Sequence, residues 1–434
     1  MLREQAVRDE AQHSNGKAQR NESSNEAEPI QSIEQERQRF IRRAASLDMR
    51  GEAFASDFID ELFTFAARVS TSDIHLQPVA DGLELKFRDD GMLKRLEVLN
   101  STVRKSVVSR LKVMADLLTY KAETPQEGRV QGRRRGAEVR VSTFPTMHGE
   151  RVVLRFFSHH GEYLSLANLG HGPETVALLE EALLETSGAI LICGPAGSGK
   201  STTMYACLRH LIETSGGTQS ILTLEDPIEV PLEGVAQSQV NVPAGFDLHT
   251  GLRSLLRQDP EVFAVGEIRD PLTAKIAFQA CLAGQLLLAT FHADSVATAI
   301  TRMIDMQIDP YHLRSGLVGI LCQRLLRKAC SCAVWSDQHE HKYDLPVDGS
   351  LIAKGCDECQ GTGYRGRRII GEYLAIRDSD AANSLIGTID SRTIYREACN
   401  RGMVSIWQRA TDLVRDGETT ASEVRRVLGR SMRI

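Results

Sequence analysis

No stretch of this 434-residue chain is apolar for the roughly 18 consecutive residues that a membrane-spanning helix needs. The opening residues MLREQAVRDEAQHSNGK also lack the apolar centre of a secretory signal. The chain is therefore expected to be cytoplasmic and to reach a membrane only peripherally, through partners. Excess basic charge is missing too. Lysine and arginine number 52 against 57 aspartates and glutamates, a net charge of −5, whereas a dedicated nucleic-acid binder is more often basic. Aromatic residues are only 5% of the chain, and the basic triplet Arg133-Arg134-Arg135 has none beside it. The basic surface interleaved with aromatics that a nucleic-acid motor presents is thus absent. The triplet reads as a solvated hairpin tip, and no direct nucleic-acid contact is expected. There is no internal repeat, and no low-complexity tract beyond the N-terminus.

What is present suffices for at least two domains, because 434 residues exceed one ordinary core. Residues 1–50 are rich in Glu, Gln, Asn, Ser and Arg. They can bury too little apolar surface to offset ordering entropy, so a disordered or loosely helical segment is expected. A docking helix near Ile33–Ile41 is the alternative to a solvated one. Phe54, Phe58, Leu62, Phe65 and Val69 then recur at three- and four-residue steps, one face of a helix. GLELKFRDDGML reads as strand, turn and strand. Residues 101–118 look helical, and GAEVRVSTFPT and GERVVLRFF are strands about a turn near His148-Gly149. Together these give a small α/β domain over residues 51–158 and a polar linker at 159–172. From 173 to 434 the pattern changes. A helix, the strand GAILIC, a glycine-rich loop and a second helix precede SILTLED, EVFAVGE and QLLLATF. Short apolar runs ending in polar residues are what buried parallel strands look like, with chemistry at their C-terminal ends.

The glycine-rich loop is specific. Gly194, Pro195, Ala196, Gly197, Ser198, Gly199, Lys200 and Ser201 match G-x-x-x-x-G-K-[ST] in full, between an apolar strand and a helix. The glycines let backbone N–H groups close around phosphate oxygens, and the helix that carries Thr202 in its first turn offers its positive end to the same anion. Lys200 neutralises the β- and γ-phosphates and Ser201 gives its hydroxyl to Mg²⁺. ATP with Mg²⁺ is the expected ligand.

Farther on, the segments ILTLEDPIEVPLEGVAQSQVN and GLRSLLRQDPEVFAVGEIRDPLTAKIAFQACLAGQLLLATFHADS resemble the Asp-box, Walker B and His-box segments of the type II secretion and type IV pilus ATPase family. SDIHLQP, FRDDG, RVSTFPT and GERVVLR resemble its smaller domain, so the likeness runs from about residue 55 to the C-terminus. The resemblance implies a RecA-like P-loop ATPase domain preceded by a small PAS-like α/β domain. It implies a homohexamer, with ATP held between the two domains and against a neighbour. Hydrolysis would drive an inner-membrane platform protein that loads pilin-like subunits into a filament.

By the same resemblance Glu267 is the catalytic glutamate, preceded by Gly266 where many P-loop proteins carry a metal-binding aspartate. The metal must then lean on Ser201 and water, with Glu225 or Asp226 as further oxygens; a helix-capping acid pair is the plainer reading of those two. His292 matches the second His-box histidine, placed to sense the γ-phosphate. The first position is Gln285, which keeps hydrogen bonding but cannot become a cation. Arg129 and Arg140 match positions where the family places arginines toward ATP, and a guanidinium there stabilises charge on the transferring phosphoryl group.

Four of the nine cysteines cluster as Cys330-Ser-Cys332 and Cys356-x-x-Cys359. The second pair has zinc-ligand spacing and the first is shortened to C-x-C, a departure from the family's module. A structural Zn²⁺ is expected in a module spanning 328–368, with His339 or His341 as an alternative ligand; a reduced knuckle that merely packs is the plainer reading. The scattered Cys193, Cys207, Cys281, Cys322 and Cys399 read as core. The module favours assembly or export over pilus retraction. The motifs also admit a conjugation-type motor, or a ring subunit that binds nucleotide without hydrolysis. Full-length type II secretion ATPases usually carry a further N-terminal domain, for which the polar first 50 residues leave little material, so either machine, secretion or pilus, stays open.

Overall fold

The computed structural model describes residues 33–131, 138–156, 165–376, 379–387 and 390–429. The Arg133–Arg135 triplet and the first part of the expected linker lie outside the described residues.

The smaller unit comprises α1 (Ile33–Ser46), α2 (Phe54–Val69), β1 (Asp73–Val79), β2 (Gly82–Asp89), β3 (Met92–Asn100), α3 (Ser101–Met114), β4 (Gln126–Gln131), β5 (Glu138–Thr146) and β6 (Gly149–Phe156). Its six strands form one antiparallel sheet in the order β3-β2-β1-β6-β5-β4. Strand alternation sends Ile74, Leu76, Leu85, Phe87, Val141 and Leu154 to one buried face, where they meet Phe58, Leu62 and Phe65 of α2 and Val107 and Leu111 of α3. The opposite face is left for polar side chains. The β2–β3 turn has positive φ at Asp90 (+44°) and Gly91 (+81°), the mirror-image turn whose twist suits a tight hairpin.

One element differs from expectation. Residues 33–46, composed like a loose segment, form a helix that belongs to this core. Phe40 is 2% exposed and its ring lies 5.8 Å from Phe58 and 5.5 Å from Phe65. Glu36 accepts from Arg68 of α2. A single apolar stripe, Phe40 and Ala44 four residues apart, anchors a helix whose other faces are charged; average composition hides such a stripe.

The larger unit follows as α4 (Pro173–Ala182), β7 (Gly188–Cys193), α5 (Lys200–Ser215), β8 (Ile221–Glu225), β9 (Ala236–Gln239), α6 (Leu248–Leu255), β10 (Val262–Ile268), α7 (Pro271–Leu282), β11 (Leu286–Phe291), α8 (Val296–Asp305), α9 (Pro310–Gly316) and β12 (Leu317–Ala329). Then come β13 (Val334–Ser336), α10 (His339–Lys342), β14 (Ser350–Ile352), β15 (Tyr364–Ala375), α11 (Ser379–Ile386), α12 (Ser391–Asn400), α13 (Ile406–Arg415) and α14 (Ala421–Leu428). Seven strands form a sheet in the order β15-β12-β7-β11-β10-β8-β9. All neighbours run parallel except β15, which returns antiparallel along β12.

Every residue of β7 and β11 is buried, because helices cover both faces. Leu191, Phe263, Val265 and Leu287 face one helical layer, while Ile190, Ile192, Ala264 and Leu288 face the other. This is why the strands read as unbroken apolar runs. The chain leaves β7 toward β8 on one side and later adds β12 on the other, so the loop after β7 sits at a topological switch point. Among the described residues no helix is long and apolar enough to cross a membrane.

Candidate nucleotide site and cysteine knuckle

The loop between β7 and α5 is held open by its glycines. Gly194, Gly197 and Gly199 have φ of +151°, +74° and +89°, values a side chain rarely adopts. At Gly194 a Cβ would also fall 2.4 Å from Ser198 Oγ and 2.6 Å from the Gln323 carbonyl oxygen. Lys200 Nζ spans the loop, donating to the carbonyls of Gly194 (2.9 Å) and Pro195 (3.0 Å). Burial lowers its pKa, with Glu267 opposing the shift. Gln323 of β12, fully buried, braces the loop from behind. Its amide donates to the Ser198 carbonyl (2.8 Å) and accepts from Thr203 Oγ1 of α5 (3.0 Å).

The acids divide into a committed one and available ones. Glu225 is 2% exposed and accepts from Tyr205 Oη, from Thr223 Oγ1 (2.7 Å) and from Gln237 Nε2 (3.0 Å). Its oxygens are taken up in holding β8, α5 and β9 together, and burial beside Glu225 raises the Tyr205 hydroxyl pKa well above its usual value. Asp226 is exposed at the cleft. Glu229 stands near Ser201; loss of surrounding water raises its carboxyl pKa, and the nearby Ser201 hydroxyl opposes this.

Glu267 ends β10 beside both. Arg269 Nε lies 2.5 Å from one of its oxygens. His292 Nε2 lies 2.7 Å from the other, in ion-pair range but out of line for a hydrogen bond, so Oε1 keeps an open lone pair. The glycine before it has a packing reason: a Cβ on Gly266 would stand 3.2 Å from Glu225 Cα and 3.5 Å from the Leu224 carbonyl. A side chain there would have to push the β8 backbone back by a few tenths of an ångström. Gln285 precedes β11 while His292 follows it, so the two His-box positions sit at opposite ends of that strand. The Gln285 carbonyl accepts from Gly188 N–H at the start of β7, far from the loop after that strand. The missing positive charge is therefore not missing from the nucleotide side.

The smaller unit closes the cleft. Arg140 of β5 and Arg155 of β6 face Lys200, Ser201, Glu229 and Glu267 across a space of about 350 Å³. Arg140 pairs with Glu127 at 2.6 Å and Arg155 with Asp73 at 3.0 Å. Arg155 was not singled out from the sequence, although alternation could have found it. Val139 and Val141 go to the core, as do Val152 and Leu154, which puts Arg140 and Arg155 together on the other face, directly paired in register. Arg129 shares that register opposite Arg140, but it is not among the residues lining this space; its Nη1 donates to Gln239 of β9 at 3.1 Å.

Residues 48–426 match the family described as Type II/IV secretion system protein. The chain belongs to that family. Similar proteins include the Type II secretion system protein E of Pseudomonas aeruginosa, 41% identical over 379 residues, covering 85% of this chain and 74% of the relative. The Type II secretion system ATPase E of Vibrio cholerae is 38% identical over 390 residues, 88% of this chain and 76% of its own. Among solved structures, the Legionella pneumophila ATPase DotB superimposes with a TM-score of 0.63 at 20% identity, covering 85% of this chain and 94% of that one. The pilus retraction motor PilT with bound ADP gives 0.53 at 23%, over 81% and 96%. Those two identities establish a shared RecA-like fold and no more. With the family established and the phosphate-binding loop complete, the chain is an ATP hydrolase of the secretion-ATPase class.

The secretion ATPase carries a second constellation at the far end of β12. Cys330, Cys332, Cys356 and Cys359 place their sulfurs within 4.8 Å of one another. Cys330 to Cys356 and Cys332 to Cys359 are both 3.8 Å, and Cys356 to Cys359 is 3.7 Å. A tetrahedral site with Zn–S bonds of about 2.3 Å needs sulfurs about 3.8 Å apart, and both cysteines of the short C-x-C pair reach that distance from a partner in the C-x-x-C pair. Cys359 Sγ also accepts the N–H groups of Cys356 and Gly363, each at 3.1 Å. Burial pushes this thiol up, but those donors outweigh it and hold the pKa at about 6. His341 Nδ1 lies 2.8 Å from Ser336 Oγ, and the four-sulfur set is complete without either histidine.

Proposed function

We propose that this protein is the homohexameric cytoplasmic motor of a type II secretion or type IV pilus system, coupling ATP hydrolysis to assembly of a pilin-like filament through an inner-membrane platform protein. The observation that carries the reading is the two-sided cleft, with Lys200, Ser201, Glu229, Glu267 and His292 on the ATPase side and Arg140 and Arg155 on the other. Phosphoryl transfer needs little covalent help, only positioning and charge compensation. This arrangement supplies both and ties them to the placement of a separate structural unit.

In this reading the loop amides and Lys200 hold the β- and γ-phosphates, Lys200 exchanging its carbonyl partners for phosphate oxygens. The open oxygen of Glu267 orients the attacking water. His292, beside it, reports the γ-phosphate, and Arg140 and Arg155 neutralise charge spreading over the transferred group. Ser201, with Glu229 and Asp226 beside it, would hold Mg²⁺, which would supply positive charge against the phosphates. Glu225 is a structural acid in this scheme, because its oxygens are already spoken for. Loss of the γ-phosphate weakens the hold of the two arginines, and that change in hold is the stroke delivered to the platform. The four cysteines hold a structural Zn²⁺. The family relatives named for type II secretion and the cysteine knuckle favour filament assembly over retraction.

ATP turnover with mass by light scattering tests the reading on the full chain. Lys200→Ala should abolish turnover. Glu267→Gln should lower it about 10²–10⁴-fold, the usual worth of a positioned base, while still binding nucleotide. Wild-type turnover should rise as hexamer forms. A Glu267→Gln protein with full turnover would remove Glu267 from its role. A wild-type hexamer that binds nucleotide without hydrolysing it would favour the nucleotide-binding ring subunit instead.

A further inference from the structure

The two sheets meet at their edges. In the small sheet β4 is one edge strand and the β2–β3 hairpin is the other. In the ATPase sheet the edges are β9 and β15. On one side Arg129 of β4 donates to Gln239, the last residue of β9. On the other side the β2–β3 turn docks on β15 and the cysteine knuckle. Asp90 Oδ2 accepts the Gly366 N–H at 2.7 Å and Asp90 Oδ1 lies 3.6 Å from Arg367 Nε. Lys94 Nζ donates to Gln360 Oε1 at 3.0 Å and is itself held by Asp89 at 2.6 Å. Between the two contacts, on the middle strands of each sheet, lie Arg140 and Arg155 on one side and the phosphate-binding loop on the other.

The geometry points to a two-edge clamp: Asp90 and Arg129 are positioning residues that seat the small sheet over the nucleotide, and the cysteine knuckle is the seat at one edge. This rests on the proposed ATP hydrolysis in the cleft and assigns Arg129 a place outside the phosphate contacts. Three features of the chain support it. The turn at Asp90-Gly91 is a two-residue loop, both residues at positive φ, paired directly into β2 and β3 through Asp89 and Met92, so a contact at its tip bears on the sheet behind it. The donor to Asp90 is a backbone N–H of β15, that of Gly366, with φ of +75°, a position set by the knuckle's return into the sheet rather than by a mobile side chain. The knuckle is closed on itself by a hydrogen bond from Cys330 N–H to the Gly363 carbonyl and is tied to the rest of the ATPase unit by one from Ala329 N–H to the Glu418 carbonyl. A displacement of the knuckle is thereby transmitted to the hairpin, and through β2, β1 and β6 to Arg155.

The test uses the chain with five variants, Asp90→Ala, Asp90→Asn, Arg367→Ala, the Asp90→Ala/Arg367→Ala double variant and Gln239→Ala, and with Lys200→Ala as a control. Asp90→Ala should lower kcat at least about tenfold while nucleotide affinity, read with a fluorescent ATP analogue, stays within about twofold, the signature of an interaction needed at the transition state. Asp90→Asn keeps an oxygen for the Gly366 N–H and should recover most of kcat. The double variant should be no worse than Asp90→Ala, because the two residues act through one contact. Gln239→Ala at the opposite edge should show the same loss of kcat with nucleotide affinity retained. Hydrogen exchange at Gly366 reads the contact without any turnover: its amide should exchange at least about tenfold faster in Asp90→Ala and unchanged in Lys200→Ala. An unprotected Gly366 in the wild type, or Asp90→Ala with wild-type kcat, overturns the clamp. Protection at Gly366 with no wild-type turnover instead overturns the hydrolysis reading and leaves the clamp as a structural contact. Equal loss of nucleotide binding and turnover in every variant overturns the positioning role.

Discussion

Gln323 offers the sharpest single test of how the sheet prepares the phosphate-binding loop. It lies on β12, more than a hundred residues beyond the loop, fully buried, donating to the Ser198 carbonyl and accepting from Thr203 Oγ1. Gln323→Ala removes both contacts. A net hydrogen bond is worth about 1 kcal/mol, and a buried group left unpaired costs about 1–3 kcal/mol. Thr203 can turn its hydroxyl to the carbonyl one helical turn back, which reduces its share. The loss at the loop itself is then about 1–2 kcal/mol, to be made up when nucleotide reorders the loop. At 1.4 kcal/mol per tenfold, nucleotide affinity should fall about 5- to 30-fold. Gln323→Met fills a similar volume without hydrogen bonds and should match the alanine variant if the bonds, rather than packing, hold the loop. The assay is a titration with a fluorescent ADP analogue, with thermal unfolding in the same buffer to confirm that each variant is folded. Folded variants that both bind within about twofold of wild type would refute the bracing role; a weak alanine variant beside a normal methionine variant would transfer the effect to packing.

Two further outcomes follow from groups outside the cleft. Glu423 is 1% exposed and takes the guanidinium groups of Arg327 and Arg426, each at 2.6 Å. Burial would raise its pKa, but those hydrogen bonds hold it at about 2 against an ordinary 4.5. A depressed folded pKa gives stability that is present above about pH 4.5 and lost as pH falls through about 2, worth about 3 kcal/mol. Glu423→Gln should be less stable at pH 7 and lose most of that acid dependence in denaturant titrations; a variant with the wild-type acid slope would refute the assignment. The cysteine knuckle should carry about one zinc per chain, released by a chelator with a fall in melting temperature that Zn²⁺ and not Mg²⁺ reverses. Metal analysis of Cys356→Ser should find little zinc, and full retention would refute the four-sulfur site.

Much of the fold and the site is legible in the sequence, and the remainder is hidden for identifiable reasons. The loop from Gly194 to Ser201 can be read because its chemistry is local: consecutive residues make one anion cradle. The buried strands can be read because two-sided burial leaves unbroken apolar runs. Arg155 escapes notice because its meaning lies in register, since only pairing β5 with β6 puts it beside Arg140. Arg129 lies on the same row, yet strand position alone does not tell that β4 is an edge strand whose arginine reaches β9. Glu225 looks like a metal ligand because its partners, Tyr205 and Gln237, stand 20 and 12 residues away. Gln323 has one signal, a glutamine inside the apolar run ILCQRLL, a polar residue whose burial requires partners. The packing of helix α1 into the core, though not its helicity, is concealed by its own charge.

The arginine row also says how charge and fold are coupled. Arg129, Arg140 and Arg155 stand directly opposite one another across β4, β5 and β6, and the row continues to Asp73 on β1, which also takes Arg88 at 3.2 Å. Like charges opposed on one face of a sheet cost stability, each pair up to about 1 kcal/mol. Glu127 offsets part of that cost through its pair with Arg140, and Asp73 through its pairs with Arg155 and Arg88. The surface facing the row carries Lys200 at the head of a helix whose own N-terminus is positive, together with the carboxylates of Asp226, Glu229 and Glu267. Opposite charges therefore meet at the centre of the junction, while contacts at Asp90 and Gln239 hold its edges. A polyphosphate placed between them adds negative charge within reach of Lys200, Arg140 and Arg155, and each negative charge removed weakens that attraction. The free energy of seating the small sheet thus depends on how much phosphate lies in the cleft, which is the property a nucleotide-driven motor requires of its two halves.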